Sequence, residues 1–305
     1  MTHPWITRLL ETAPPRAKSL VMTIFGDAIV PHGGRLWLGS LFELVAPLGL
    51  SERLVRTSVF RLVQEGWLEA NREGRRSSYA LQAAARVRFE RANRRVYAPP
   101  AADWDGRWTL LLAPAGSVDA PLRAAVRREL EWEGFALVAP GVMAHPAVAG
   151  DALADILGRV DGGRRLFACS ATELPGARPL ADLVAGAWDL AGVADAYERY
   201  VATFAPLAAL LRAAGAPPSP RDAFALRTLL VHAYRRVQLQ DPGLPLALLP
   251  SPWPGARAYA LTRDLYRLLW EPAEQHLLHT LRREDETAPP PDSAFMARFG
   301  GLSSA

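Results

Sequence analysis

Several kinds of site and segment are excluded because the chain lacks the residues they need. Cys169 is the single cysteine among 305 residues, which excludes an internal disulfide and any zinc site made of several cysteines. It lies in the apolar run 166–171, and we expect it to be a buried strand residue. No run of about 18 apolar residues occurs, so no membrane-spanning helix is expected. The start, MTHPWITRLL, lacks the pattern of a secretory signal, so a cytoplasmic protein is predicted.

The motifs of catalysis and metal binding are also missing. No HExxH spacing, Walker-type glycine loop or GxSxG turn occurs in the sequence. His276 and His279 are three residues apart on a predicted helix, with Glu274 nearby, and could in principle share a metal. Two surface histidines are the interpretation we favour. We therefore predict no catalytic residues, no metal and no cofactor.

The positive charge is carried by arginine and is concentrated in the first third of the chain. Lys18 is the single lysine, which a GC-rich genome explains, although arginine also suits phosphate and guanine contacts. Residues 1–98 hold 15 Arg or Lys against 8 Asp or Glu, a net charge of +7. Because the whole chain carries +4, the remainder carries −3. This split indicates that the first third contacts a polyanion.

Within that basic third, residues 51–81 predict a helix followed at once by an arginine-tipped hairpin. They read SERLVRTSVFRLVQEGWLEANREGRRSSYAL. Apolar residues at helical spacing define one face of the helix: Leu54, Val55, Val59, Leu62 and Val63. Ser51 can cap the first turn, and Gly66 ends the helix. The chain then turns at 71–74 and returns along 77–81.

The polar side chains of this segment are typical of a winged helix, whose helix enters the major groove while its hairpin touches the backbone or minor groove. A helix at 17–30, a short strand at 36–38 and a helix at 40–46 complete the order of elements. The predicted DNA contacts are Arg53, Arg56, Thr57 and Arg61 on the helix, and Arg72, Arg75, Arg76, Ser77 and Ser78 on the hairpin. The alternative is a face that is merely solvated.

Phe60 departs from this pattern, because a helical wheel places it between Arg53 and Arg56 on the face assigned to DNA. It could contact a thymine methyl group. Packing beneath the hairpin is the interpretation we favour.

The predicted fold class is an α+β multidomain protein with an N-terminal winged helix-turn-helix, a central ferredoxin-like domain and a C-terminal α-helical domain. In the central part, a strand–helix–strand–strand–helix–strand order over 108–169 indicates the ferredoxin-like sandwich. The linker helix carries five arginines and could extend the DNA surface or be solvated. The predicted boundaries are a flexible arm at 1–16, the winged helix at 17–83, the linker helix at 84–102, the ferredoxin-like domain at 103–176, the helical domain at 177–281 and a mobile tail at 282–305.

Four stretches together resemble the PaaX family of bacterial repressors of phenylacetic-acid degradation operons. They are the helix SERLVRTSVFRLVQEGWL, the basic hairpin, GFALVAPGVMAHP at 134–146, and LVHAYRRVQLQDPGLPLALLPSPWPG at 230–255. The resemblance covers about residues 17–281. It implies a central domain similar to the CRISPR-associated Cas2 fold. It also implies a homodimer on an inverted repeat in double-stranded operator DNA, released by an aryl-CoA effector such as phenylacetyl-CoA.

A coenzyme A thioester needs cations for its phosphates and an apolar slot for its acyl group. Residues near the last motif that could supply these are His232, Arg235, Arg236, Trp253 and Arg257. Alternatively, His232 is a satisfied core residue and the tryptophan–proline turn only fastens the helix end.

Two other functions remain open. Cas2-like nucleases hold a metal with a carboxylate near the end of the first strand, whereas here 108–112 runs into Ala-Pro-Ala-Gly. Asp119 begins the next helix, where an acid is ordinary capping chemistry. A metal-dependent nuclease is therefore the alternative, and a DNA-binding regulator with no small ligand is a third.

Overall fold

The computed structural model describes residues 3–100, 104–114, 116, 119–146, 148, 150–159, 163–176 and 178–302. Within these residues the chain combines helices with two small sheets, so the predicted mixture of helix and sheet is confirmed. It forms two compact units. The first unit comprises Met1–Pro99, Arg199–Arg236 and Ala258–Ala305, and the second comprises Pro100–Glu198 and Val237–Arg257. Residues 177–281, which were predicted to form one helical domain, are thus divided between the two units. The division depends on contacts between residues that are far apart in the sequence.

The N-terminal part of the first unit contains five helices and one small sheet. Its elements are α1 (Pro4–Thr12), α2 (Ala17–Ile24), a π-helical turn (Phe25–Ile29), β1 (Arg35–Trp37), α3 (Leu38–Val45), α4 (Glu52–Gln64), β2 (Leu68–Glu73), β3 (Arg76–Leu81) and α5 (Ala83–Tyr97). The sheet has the order β1-β3-β2, and both neighbouring pairs are antiparallel.

The helix and hairpin predicted from residues 51–81 are present. The Ser51 hydroxyl accepts the N–H of Leu54 at 3.4 Å and so caps α4. Val55, Val59 and Leu62 are buried on its apolar face. Gly66 has a φ of 73°, a left-handed conformation that favours glycine and ends the helix. Local capping and periodicity therefore account for this segment.

Described residues near both ends of the chain are packed, although a flexible arm at 1–16 and a mobile tail at 282–305 are predicted from the sequence. Ile6 and Leu9 on α1 are buried. In the C-terminal segment, Phe295 on the short helix α12 (Ser293–Met296) is buried, as are Phe299 and Leu302. The polar, proline-bearing composition describes the tail as a whole and does not show which single residues are buried. A few apolar anchors are enough to hold the segment against the core.

Long helices complete the first unit. They are α9 (Leu190–Ala213), α10 (Pro220–Gln238) and α11 (Pro254–Arg282). The first unit contains α9 from Arg199 onward, α10 as far as Arg236 and α11 from Ala258 onward. Every residue in Ala223–His232 is buried, so this helix forms the centre of the unit. Among the described residues, no helix combines the length and apolarity needed to cross a membrane.

The second unit contains a four-stranded sheet with the order β5-β6-β4-β7, in which all neighbours are antiparallel. Along the chain its elements are β4 (Trp108–Leu112), α6 (Ala120–Trp132), β5 (Ala136–Ala139), β6 (Val142–His145), α7 (Gly150–Arg159), β7 (Phe167–Ala171) and α8 (Ala181–Ala187). Cys169 lies on β7 at the edge of the sheet and is exposed, so its predicted burial is wrong. An apolar run does not reveal that its strand is an edge strand.

Candidate nucleic-acid interface

The outer face of α4 presents free cations. Arg53, Arg56, Thr57 and Arg61 are all exposed, as predicted. Arg56 lies 3.6 Å from the Glu52 carboxylate and 4.7 Å over the Phe42 ring, and the Thr57 hydroxyl donates to the Arg53 carbonyl at 2.9 Å. Within the described part of the chain, Arg53 and Arg61 form no ion pair. They are the residues of this helix best placed to meet an external anion.

The hairpin carries two further free cations at its tip. Arg72 and Arg75 are exposed and form no ion pair with any described residue. Gly74 adopts a φ of 61° in the turn between them. Because the backbone turns tightly there, both guanidinium groups can extend beyond the sheet. Together with the free cations of α4, they define the cationic face: Arg53, Arg61, Arg72 and Arg75.

The other three predicted hairpin contacts differ from these. Arg76 donates to the Glu284 carbonyl at 3.2 Å and to its carboxylate at 3.1 Å, and lies 4.2 Å over the Trp37 ring. Ser77 is half-buried. Ser78 is only 1% exposed and accepts a hydrogen bond from Arg35 at 3.4 Å. Ser78 is therefore removed from the DNA contacts, because its side chain faces inward from the middle strand.

Phe60 is 64% exposed on the outer face of α4. The favoured prediction, that it packs beneath the hairpin, is wrong. Trp67 is the aromatic residue that packs in this region instead, with its ring 6.1 Å from that of Phe89 on α5. The thymine contact, which was the other interpretation of Phe60, stays a prediction.

Helix α5 packs on the first unit by one face and exposes arginines on the other. Phe89 and Val96 are buried, whereas Arg86, Arg88 and Arg94 are exposed. At Gly26 an added Cβ would lie 2.7 Å from the Phe89 ring, so only glycine permits this close approach. The helix is therefore anchored to the π-helical turn rather than being a free linker.

The first unit also contains a buried charge cluster that the sequence did not indicate. Arg227 on α10 lies 3.2 Å from the Asp27 carboxylate and 2.6 Å from that of Glu274 on α11. Arg298 lies 3.1 Å from Asp27. Tyr97 and Tyr266 donate to Asp27 at 2.6 and 3.0 Å. The cluster therefore joins the π-helical turn, α5, α10, α11 and the C-terminal segment.

The ionisation of the cluster follows from burial and pairing. Burial raises the pKa of Tyr97 and Tyr266 well above the usual value, so both remain hydrogen-bond donors. Burial alone would raise the pKa of Glu274, but Arg227 and His32 overcome it and the net pKa is lowered. The His32 ring lies 2.9 Å from the Glu274 carboxylate. The Glu274 carboxylate is thus held charged beside Arg227.

The predicted effector residues are divided between the two units. His232, Arg235 and Arg236 belong to the first unit, whereas Trp253 and Arg257 belong to the second. The His232 ring lies 3.0 Å from the Thr23 hydroxyl, which also accepts from Arg235 at 3.2 Å. Burial, followed by Arg235 and Arg236, lowers the pKa of His232 to about 4. This is the environment of a satisfied core histidine.

In the second unit the other two predicted effector residues already have partners. The Trp253 ring lies 6.1 Å from that of Tyr197, and Arg257 is paired with Glu198. The Tyr197 hydroxyl donates to Asp241, the first residue of the DPGLP motif, at 2.7 Å.

The described residues give no support to a metal site. No group of three or more histidine, cysteine, aspartate or glutamate side chains among them could hold a metal ion. The Asp119 carboxylate accepts the N–H of Leu122 at 2.9 Å, as its predicted capping role requires.

Comparison with known proteins decides the family. Three family profiles match in chain order: PaaX-like protein at 16–85, the PaaX protein central Cas2-like domain at 101–184, and the PaaX-like protein C-terminal domain at 188–279. The transcriptional repressor PaaX of Escherichia coli strain K12 is 37% identical over 98% of this chain and 95% of its own length. The chain belongs to the PaaX family. The predicted resemblance is confirmed, as is a Cas2-like central domain.

A solved structure is also similar to this PaaX-family chain. The uncharacterized protein Rv0674 from Mycobacterium tuberculosis has a TM-score of 0.53 and 26% sequence identity. The match covers 85% of this chain and 98% of that one. The likeness therefore extends over more than one domain.

Proposed function

We propose that this chain is a DNA-binding transcriptional repressor of aromatic, phenylacetate-type catabolic genes, acting in the cytoplasm. Membership of the PaaX family, with a relative named as a transcriptional repressor, supports this role. The single observation that carries it is the cationic face. Its four arginines lie on a helix and the adjoining hairpin, and none forms an ion pair within the described residues.

We further propose that residues 17–81 form a winged helix-turn-helix and that the central sheet is ferredoxin-like. The order α2-β1-α3-α4-β2-β3, with β1 paired to the second hairpin strand, supports the first assignment. The strand–helix–strand–strand–helix–strand order and the wholly antiparallel sheet β5-β6-β4-β7 support the second.

In the proposed complex, the two parts of the cationic face have different roles. Arg53 and Arg61 reach base edges or nearby phosphates in the major groove, and Arg72 and Arg75 reach the backbone or minor groove. Contacts to bases carry sequence discrimination, whereas contacts to phosphate carry affinity and its salt dependence. Arg56, Thr57 and Ser77 are secondary candidates, because each is partly engaged or half-buried.

The proposed assembly is a homodimer on an inverted-repeat operator, released by an aryl-CoA such as phenylacetyl-CoA. Two-fold protein symmetry matches an inverted repeat whose half-sites are separated by about one helical turn. The effector must bind the conformation that does not bind DNA more tightly, because equal affinity for both shifts no equilibrium. Of the predicted ligand residues, Arg236 and Arg257 are exposed and remain the candidates for phosphate contact.

Two experiments test this function. Selection from a randomised duplex pool should enrich an inverted repeat, and binding to it should weaken steeply with salt. Thermal unfolding with phenylacetyl-CoA, free CoA and phenylacetate in parallel should show stabilisation by the thioester alone. Failure to enrich any duplex would exclude the repressor role, whereas equal shifts with free CoA would exclude only the acyl specificity.

A further inference from the structure

One large apolar side chain stands on the outer face of α4. Phe60 is 64% exposed, more than any other large apolar residue described in the first unit. Its ring stacks on no other aromatic ring among the described residues. Leaving a phenyl group in water forgoes about 1.5–3 kcal/mol relative to burial. Single exposed apolar residues are common on protein surfaces, so the case for a partner depends on the neighbours of Phe60.

The neighbours of Phe60 indicate what that partner is. With 3.6 residues per turn, Phe60 lies about 20° around the helix from Arg53, about 40° from Arg56 and about 60° from Thr57. All three neighbours are exposed. The ring therefore lies between Arg53, which forms no ion pair within the described residues, and Arg56, which pairs with Glu52 at 3.6 Å. An anionic partner with a small apolar feature between its charges fits this arrangement.

We propose that Phe60 is a base-reading residue whose ring contacts the C5-methyl group of a thymine in the major groove. Among the base-pair edges exposed in that groove, the thymine methyl is the apolar feature, and its flanking phosphates match the surrounding arginines. This proposal rests on the proposed repressor function and adds to it a preference for thymine at one operator position. Phe60 therefore adds discrimination for thymine to the base and phosphate contacts proposed for the arginines.

The test removes only the methyl group. The tightest duplex selected by the full-length protein is resynthesised with each thymine replaced, one at a time, by deoxyuridine. We expect replacement at one symmetric position in each half-site to weaken wild-type binding by about fourfold. This factor corresponds to the free energy of burying one methyl group, about 0.8 kcal/mol. Phe60→Ala should bind the unmodified duplex more weakly and should show no loss at that position.

Two further variants separate this role from others. Leu54 is 45% exposed on the same helix, about 120° away from Phe60, so Leu54→Ala should keep the deoxyuridine penalty. Phe60→Leu, which retains an apolar side chain, should keep part of it. Thermal unfolding of each variant shows whether it is folded.

The outcomes distinguish the two levels of the proposal. A deoxyuridine penalty that persists in Phe60→Ala overturns the role of Phe60 and leaves the repressor function intact. A change in self-association without any change in thymine preference makes the ring a protein contact and also overturns it. Absence of any selected duplex overturns both proposals.

Discussion

The first unit uses arginine in two opposite ways. Arg227 and Arg298 are 0% and 6% exposed, and each is paired with buried acid. The arginines of the cationic face are exposed and form no ion pair within the described residues. Burying a charge costs several kcal/mol unless it is paired, so the inner arginines are committed to structure. The outer arginines are free for a partner. The role of an arginine is thus determined by its partner, not by the composition of its segment.

The largest expected effect comes from removing an arginine from the buried charge cluster, called the inner cluster below. Arg227→Met should lower the free energy of unfolding by about 3–5 kcal/mol, because Asp27 and Glu274 lose a shared buried cation. Urea denaturation measures this loss. Arg53→Met, on the cationic face, should change stability by no more than about 0.5 kcal/mol. Equal effects of the two variants would contradict the distinction between inner and outer arginines.

The second effect is a dependence of stability on pH that comes from the buried His232. His232 has a pKa of about 4 in the folded protein against 6.5 for an ordinary histidine. The unfolded chain therefore binds a proton first as the pH falls, and stability decreases from about pH 6.5 down to about pH 4. The full loss is about 3 kcal/mol.

The free energy of unfolding is measured at several pH values across that range for the wild type and for His232→Asn. Comparing the two proteins separates the contribution of His232 from that of the Asp and Glu residues, which both proteins share. The stability difference between the two proteins should shift in favour of the variant as the pH falls. A difference that stays constant with pH would show that His232 does not titrate between the two states.

The third effect concerns the outer arginines and is confined to DNA binding. Arg72→Gln and Arg75→Gln should each reduce the slope of log affinity against log salt by about 0.9 if each contacts one phosphate. Thermal stability should remain unchanged. Arg212→Gln is the matched control, since Arg212 is an exposed cation of the same unit that is paired with Asp264 at 3.0 Å. If the salt dependence of Arg212→Gln falls by the same amount, Arg72 and Arg75 contribute only general electrostatic attraction and no specific phosphate contact.

The smallest effect concerns Arg76, which is intermediate between the two groups. Its ion pair with Glu284 is half-exposed, and such pairs contribute about 0.2–1 kcal/mol. Glu284→Gln should therefore tighten DNA binding by up to about fivefold, since Arg76 becomes free for phosphate. Glu286→Gln, a nearby exposed acid, should have less effect. The gain should vanish in an Arg76→Gln background, and a gain that survives there would exclude competition for Arg76.

Local features were predictable from the sequence, and distant contacts were not. The bounds of α4, its cap at Ser51 and the hairpin follow from periodicity and turn residues. The inner cluster joins Asp27, Arg227, Glu274 and Arg298, which are far apart in the chain and have no shared motif. For the same reason the packed chain ends and the inward side chain of Ser78 were missed, because each depends on tertiary neighbours. Helix α8, seven residues long, was also missed.

The central claim is that α4 reads DNA through its free arginines. The most direct test is the affinity of Arg53→Ala and Arg61→Ala for the selected duplex and for a scrambled duplex at one salt concentration. If either arginine forms a bidentate pair with guanine, its loss should reduce the preference for the selected duplex by about 1–3 kcal/mol. Unchanged discrimination in both variants, with both proteins folded, would contradict the account.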